Sequence, residues 1–297
     1  MPDPTATVTE VAGRRLRLTH LDRVLYPGSG FTKAAMLHYY TRVAPAMLPQ
    51  LMGRPASFLR LPEGVDGQRF WAKRVPPGAP SWVPRLQVTH RQETMPQVLV
   101  DDLPTLLWAA NLGCLEFHVP QWHTDPALHD RLIIDLDPGD GVGLLECAVV
   151  ALTARQLLAD DGLTAFPKTA GSKGLHLSVP LHPTPAEAAG RYARDLARRL
   201  REALPTLVVD QMAKELRPGR VFVDWSQNNS AKTTVAAYSL RARPTPSVSA
   251  PLTWAELAAA RRPADLVRTP EAVATRLAAD GDPHAALADP DTAKALP

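Results

Sequence analysis

RLIIDLDPGDG, residues 131–141, decides the fold. Apolar residues lead into Asp135, Leu136 and Asp137 follow, and Pro138 and Gly139 stop the run. Residues i and i+2 of a strand share a face. Asp135 and Asp137 therefore point the same way at the end of a buried strand, with Leu136 turned into the core. Two carboxylates held side by side repel unless a cation lies between them. Oxygen-only donors of this kind suit Mg²⁺ or Mn²⁺ rather than zinc. The competing reading is a strand that ends in a polar loop.

Two other stretches bear on that choice. RVFVDWSQNN, residues 220–229, repeats the theme: an apolar strand ends in Asp224. Three carboxylates from two strand ends can hold two metal ions about 3.5–4 Å apart, the geometry of phosphoryl-transfer sites. LTAFPKTAGSKGLHLSVPL, residues 163–181, reads as strand, glycine-rich turn, strand. Lys173 and His176 frame Gly174 there, and donors from backbone, lysine and histidine suit phosphate oxygens. GSKG alone is common in hairpins; its place after an acid-ended strand and a helix gives it weight. QNNSAKT delivers Lys232, and YSLRAR brings Arg241 and Arg243.

Working outward, residues 1–10 read as disordered and 11–18 as a short basic strand. Thr32 caps a helix through about Tyr40, and Pro45 breaks or restarts it. Residues 56–61 and 70–74 read as strands. Phe70 and Trp71 fall on opposite faces, so one can be core and the other an exposed aromatic. Flanked by Arg69, Lys73 and Arg74, an exposed ring is a stacking platform for a base; the alternative buries both. Residues 86–100 suggest a strand or hairpin, and 102–112 a helix capped by Asp101 or Asp102. LEFHVPQW alternates, with Leu115, Phe117 and Val119 on one face and Glu116 and His118 on a polar one. Residues 142–160 form a helix. Residues 184–204 form another, with Thr184 as N-cap, Pro185 at the first position and Glu187 completing a capping box. Its Arg191, Arg194, Arg198 and Arg201 read as a solvated face. Short helices follow at 253–260 and 270–279, and residues 286–297 read as a loose tail. Cys114, His118, His123 and His129 match no standard zinc spacing.

Composition bounds the class. At 297 residues the chain suits one large domain with two lobes. No apolar run approaches the roughly 18 residues of a membrane span, and MPDPTATVTE lacks the features of a secretory signal. Two cysteines make no disulfide framework and point to a reducing cytoplasm. The net charge of +3 is unevenly spread: residues 11–91 hold thirteen Lys or Arg against Asp22, Glu63 and Asp66, a surplus of ten. A basic lobe beside an acidic metal-type site is what an enzyme acting on a polyanion needs. The alternative is an arginine-rich solvated surface.

DLDPGDG, GSKGLH and VFVDWSQNNSAKTTVAAYSLRARP, in that order and spacing, resemble the polymerase domain of bacterial ligase D. That domain is the primase-like nucleotidyltransferase of non-homologous end joining, in the archaeo-eukaryotic primase superfamily. The likeness extends to LDRVLYPGSGFTK, GRPASFLRLPEGVD, LEFHVPQW and APLTWAEL and covers residues 13–283. It implies an α/β (α+β) bilobal primase-like fold, with mixed and antiparallel sheets around a central cleft and a catalytic module related to RNA-recognition folds. A basic DNA-binding lobe would span residues 11–110 and the catalytic portion 111–260, within one domain over 11–285.

The resemblance also implies roles. Asp135, Asp137 and Asp224 match the metal-binding triad, for two Mn²⁺ or Mg²⁺ ions. Lys173, His176, Lys232 and Arg241 match positions that hold an incoming triphosphate, and Ser172 adds a hydroxyl or backbone donor. His118 matches a residue near the nucleotide sugar and primer terminus, and Arg217 an arginine placed by nucleotide or template. Phe70 and Trp71 match an aromatic pair that stacks on the template, with Lys73 beside them on the DNA. Lys33 with Arg23 and His20 matches the pocket for a downstream 5′-phosphate. Four positions depart from the family pattern: His20 stands for asparagine, Arg23 for lysine, Leu59 for a lysine that grips DNA, and Ala170 for a serine of the triphosphate pocket.

The expected activity is template-directed nucleotidyl transfer at gapped, nicked or overhanging DNA ends, with gap filling, terminal transfer and a preference for NTPs over dNTPs. No KxDG ligase motif is present in the sequence. The expected partners are therefore Ku and a separate DNA ligase, and the expected setting is the cytoplasm and nucleoid, with no membrane. Two readings from other classes compete: a non-catalytic DNA-end-binding or bridging module, and a metal-dependent phosphohydrolase. The second gives no reason for the lysine and arginine set around a triphosphate.

Overall fold

The computed structural model describes residues 6–90 and 93–297. The elements run in order β1 (Thr7–Val11), β2 (Arg14–Leu18), β3 (Val24–Tyr26), β4 (Phe31–Thr32), α1 (Lys33–Leu51), β5 (Ser57–Arg60), β6 (Phe70–Ala72), β7 (Arg85–His90), β8 (Glu93–Val98), α2 (Leu103–Asn111) and β9 (Cys114–Val119). There follow β10 (Leu128–Pro138), α3 (Leu144–Asp160), β11 (Phe166–Thr169), β12 (Leu175–Pro185), α4 (Ala186–Ala203), β13 (Val208–Val209) and β14 (Val221–Val223). The chain closes with β15 (Thr234–Val235), β16 (Leu240–Arg241), β17 (Ser247–Val248), α5 (Trp254–Ala259) and α6 (Pro270–Asp280). The result is the mixed α/β class expected.

The chain divides into two compact units. The first comprises the chain up to Val119 with Val235–Val248 and Thr269–Gly281, the second Pro120–Thr234, Ser249–Arg268 and Asp282–Pro297. The boundary expected near residue 110 thus falls after Val119, because β9 is an inner strand of the first unit's sheet, and each unit is completed by segments from the far end of the chain.

The second unit is built on a five-stranded sheet of order β11-β12-β10-β14-β13, antiparallel except for β13 beside β14. Leu132, Ile134 and Leu136 of β10 and Leu175, Leu177 and Val179 of β12 share one face and pack with α3 and α4 in a single apolar core. The alternate residues, Asp135 and Asp137 among them, take the other face. The first unit holds a four-stranded sheet of order β15-β9-β5-β6. Phe58 and Phe117 pack edge to face at 5.4 Å on one side of it, and Tyr40 of α1 joins Phe117 at 5.1 Å.

Several local expectations are corrected. Thr7–Glu10 lie in β1, paired with β2 along the hairpin, so they are ordered; residues 1–5 lie outside the described residues, as do 91–92 between β7 and β8. Thr32 caps α1, its Oγ1 accepting from the Ala35 N–H at 3.2 Å. The helix continues past both Pro45 and Pro49 to Leu51. Both prolines sit on its exposed side, and Met36, Tyr40, Val43, Met47 and Leu51 bury the other side completely, which outweighs the lost hydrogen bonds.

Thr184 does not cap α4. Its hydroxyl donates to the His182 carbonyl at 2.7 Å, and β12 holds Thr184 and Pro185 in pairing with β10. Residues 286–297 are docked rather than loose. Leu287 is buried, and the His182 N–H donates to the Lys294 carbonyl at 3.0 Å. Among the described residues no helix is long and apolar enough to cross a membrane.

Candidate active site

The second unit's functional residues form a row across its sheet. Lys168, His176 and Asp135 are consecutive register partners on β11, β12 and β10. Cross-strand partners share a face and stand side by side. Asp224 follows one step past the β10–β14 ladder, its N–H donating to the Asp135 carbonyl at 2.9 Å. Asp137, two residues on from Asp135, shares its face. The strand geometry read from the sequence is therefore what gathers the three aspartates.

Two glycines let other segments close on this strand end. A Cβ on Gly174 would lie 2.4 Å from the Leu136 carbonyl oxygen and 3.5 Å from Asp137 Oδ1. Only glycine allows the GSKG turn so near β10; Lys173 of that turn is exposed and Ser172 part-exposed. A Cβ on Gly139 would meet the Arg217 carbonyl oxygen at 1.9 Å. Two backbone hydrogen bonds hold the Arg217 loop there: the Gly139 N–H donates to Arg220 O at 2.8 Å, and the Gly219 N–H of the loop to Asp140 O at 2.7 Å. Arg217 itself lies over the Phe222 ring at 3.7 Å. Ala170 is buried.

The charges are unequally satisfied. Asp135 is buried, with His176 Nε2 at 3.3 Å from its Oδ1. Asp224 Oδ1 accepts from the Ser226 N–H and hydroxyl, and Oδ2 from Lys232 Nζ at 3.2 Å. Lys232 also reaches Ser226 Oγ at 2.5 Å. Asp137 is exposed as a residue, yet its carboxyl is hemmed in. Burial first, then the Asp135 and Asp224 carboxylates, push it up to about 6, against the pull of His176 and Arg217.

Among the described residues no three His, Cys, Asp or Glu side chains already converge as a metal shell. Three mutually repelling carboxylates with only oxygen donors are nonetheless a donor set that suits a hard divalent cation. His123 pairs with Asp130 at 2.8 Å, His129 with Ser230 at 3.2 Å, and burial pushes the Cys114 thiol up to about 12.

The first unit holds a second cluster. Glu116 and His118 share the polar side of β9, and both are buried there. Glu116 Oε2 lies 2.8 Å from His118 Nε2 and 3.4 Å from Arg241 Nη1, and Oε1 accepts from the Ala242 N–H at 2.7 Å. Burial would raise the Glu116 carboxyl, but His118, Arg241 and the Ala242 N–H outweigh it and hold it below its ordinary range. Trp71 meets His118 edge to face at 4.9 Å.

Neither aromatic of the pair is core: Phe70 is 42% and Trp71 62% exposed. A three-residue strand at the sheet's edge leaves both faces open at this point, and Lys73 follows, half-buried. Leu59, where the family pattern has lysine, is the register partner of both Trp71 and Glu116 and is buried between them.

His20, Arg23 and Lys33 also come together. The Arg23 N–H donates to the His20 carbonyl at 3.1 Å and the Lys33 N–H to the Arg23 carbonyl at 2.8 Å. Burial and the nearby Arg23 lower the Lys33 amine to about 8.

Glu116, Lys168, Ser226 and Asn228 went unassigned in the sequence reading. The Asn228 side chain exchanges two 2.8 Å hydrogen bonds with the Ile133 backbone on the side of β10 that β12 does not cover and β14 does not reach, and so ties the turn after Asp224 to β10. Its place in QNNS was the available signal. Arg194, read as part of a solvated face, lies over the Trp225 ring at 3.9 Å. Both line a cavity of about 480 Å³ that none of the three aspartates borders.

A family model described as LigD, primase-polymerase domain, matches residues 32–284. The chain is 46% identical over 279 residues to the multifunctional non-homologous end joining DNA repair protein LigD of Mycobacterium tuberculosis, covering 91% of this chain and 36% of that protein. It is 29% identical to the bifunctional non-homologous end joining protein LigD of Bacillus subtilis, over 84% of this chain and 41% of that one. The chain thus spans well under half the length of these relatives. A solved structure of the polymerase domain of Mycobacterium tuberculosis ligase D, in complex with DNA, superposes with a TM-score of 0.88 at 45% identity, covering 93% of this chain and 99% of that one.

Proposed function

The chain belongs to the LigD primase-polymerase family, and from that premise we propose that it is a DNA-directed nucleotidyltransferase that fills gaps and extends ends at double-strand breaks. The observation that carries this reading is the row Lys168, His176, Asp135, Asp224, with Asp137 and the GSKG turn closed upon it. Carboxylates and phosphate donors meet there on one sheet face.

Asp135, Asp137 and Asp224 would hold two divalent ions, Mn²⁺ or Mg²⁺, which supply charge neutralisation at the triphosphate and acidify the primer 3′-hydroxyl. The protein's own groups do the rest. Lys173, Ser172 and the turn's N–H groups bind phosphate oxygens, and His176 presents Nε2 between Asp135 and the triphosphate. Lys232 now neutralises Asp224. On nucleotide binding it exchanges that carboxylate for a phosphate oxygen and leaves Asp224 free as a ligand. Arg217 borders the nucleotide or template. In transfer the 3′-oxygen bonds the α-phosphorus, the bond from that phosphorus to the bridging oxygen breaks, and pyrophosphate leaves.

His118 and Arg241, both held by Glu116, are assigned to the nucleotide, and Phe70, Trp71 and Lys73 to the template. His20, Arg23 and Lys33 are assigned to a downstream 5′-phosphate. A preference for ribonucleotides, action in the nucleoid, and cooperation with Ku and a ligase belong to the same reading.

The test is primer extension on gapped and overhanging duplexes, with each NTP and dNTP, with Mg²⁺ or Mn²⁺, and with or without a 5′-phosphate. Wild-type protein is expected to add nucleotides, and Asp137→Ala to bind DNA without extending it. A folded wild-type protein that binds ends but never extends them would be a bridging module, and one that degrades DNA without NTP a phosphohydrolase.

A further inference from the structure

We propose that Lys168 is a positioning residue for nucleotide binding: it fixes the His176 imidazole in the tautomer whose proton sits on Nε2, facing Asp135. Lys168 is 3% exposed, inside a sheet, with no access to substrate. Its Nζ lies 3.0 Å from His176 Nδ1 and 2.7 Å from Ser249 Oγ. An ammonium group has three donors and no acceptor, so a charged Lys168 makes Nδ1 of His176 the acceptor and keeps the proton of the neutral ring on Nε2.

The other partner gives the same direction. Ser249 is fully buried, and its hydroxyl donates to the Thr169 carbonyl at 3.0 Å, leaving a lone pair to accept from Lys168. Thr169 Oγ1 in turn accepts from the Ala250 N–H at 3.0 Å, which anchors the serine's segment to β11. Both side-chain contacts of Lys168 described here thus have it as the donor, and the far ring nitrogen of His176, Nε2, lies 3.3 Å from Asp135 Oδ1.

The register explains why a lysine can do this from β11. Lys168, His176 and Asp135 are direct cross-strand partners in three adjacent strands. A donor on Nε2 can bind a carboxylate or a phosphate oxygen; the other tautomer would present a lone pair to both and repel them. The outer partner of a histidine commonly sets which nitrogen carries the proton.

The functional consequence rests on the proposed role of His176 at the triphosphate, but the tautomer itself does not, and the two are read separately. Nitrogen-15 NMR of histidine-labelled, nucleotide-free protein is expected to show His176 as the Nε2–H tautomer. Lys168→Met, which removes the donors, is expected to lose that signature, and Lys168→Gln, which keeps a donor without charge, to retain it. In steady-state extension Lys168→Met is expected to raise KM for NTP about tenfold, in the range found for outer partners of ligands, with kcat less affected. A merely structural role would instead reduce the active fraction, lowering kcat at unchanged KM.

An Nδ1–H tautomer in wild type, or an unchanged tautomer in folded Lys168→Met, overturns the proposal. Should Lys168→Met not fold, the wild-type spectrum decides alone. If wild type shows no extension, the functional reading fails while the NMR result stands.

Discussion

Burial and two neighbouring carboxylates oppose the charge of Asp137 and push its carboxyl up to about 6. Its folded value lies above the ordinary 3.8, so between those values the folded chain binds more protons than the unfolded one, and stability falls as pH rises through that window. Above it the destabilisation is fully present. Asp137→Asn removes it and is expected to raise the melting temperature of metal-free protein by a few degrees at pH about 7.5. That gain should shrink towards zero at pH about 4, while extension is lost. Thermal melts across that range check the sign; a gain independent of pH would mean that repulsion is not its source. Asp135, Asp137 and Asp224 were legible in the sequence because a two-residue period and two acid-ended strands announce them locally. Glu116 and Lys168 were not. A charged residue in a short buried strand looks like ordinary alternation, and one partner of each lies far along the chain: Ala242 for Glu116, Ser249 for Lys168.

At the scale of elements, strands and helices were read where hydrophobic period dominated and misread where capping chemistry competed with pairing. The signals of Thr184 and Pro185 for a helix start were sound, but β10 claims both residues for its ladder with β12. Pro45 was a sound break signal overridden by the buried side of α1. The GSKG turn is the element whose placement matters most, and it depends on the absence of a side chain at Gly174. Gly174→Ala would place a methyl 2.4 Å from the Leu136 carbonyl oxygen, on backbone that has no room to yield. Overpacking of this kind costs about 1–3 kcal/mol. Moving the turn away from β10 also displaces Ser172 and Lys173, which belong to it. The variant is expected to fold with a lowered melting temperature and to lose at least about tenfold in kcat/KM for NTP, as misplaced binding groups do. Stability measured by denaturant titration, with NTP titrations in extension assays, separates the two effects; normal nucleotide use at reduced stability would mean that the turn does not hold the triphosphate.

For the whole molecule, the sequence carried the fold class but not the exchange of segments, since nothing local marks Val235–Val248 and Thr269–Gly281 as parts of the first unit. It did carry the charge asymmetry. Residues 11–91 hold a surplus of ten positive charges against a total of +3, which leaves the remainder at −7. If the basic part holds DNA by its phosphates, binding must release condensed counterions, and the logarithm of affinity then falls by about 0.9 per phosphate contact for each tenfold rise in salt. Four contacts imply a loss on the order of a hundredfold between about 50 and 200 mM salt. Fluorescence anisotropy with a recessed, 5′-phosphorylated duplex over that range measures the slope. A slope shallower than about one contact would mean that the surplus is a solvated surface and that recognition rests on stacking at Phe70 and Trp71, which salt screens far less. A steep slope, lessened by removing the 5′-phosphate and by Lys33→Ala alike, would trace the charge effect to the cluster of His20, Arg23 and Lys33.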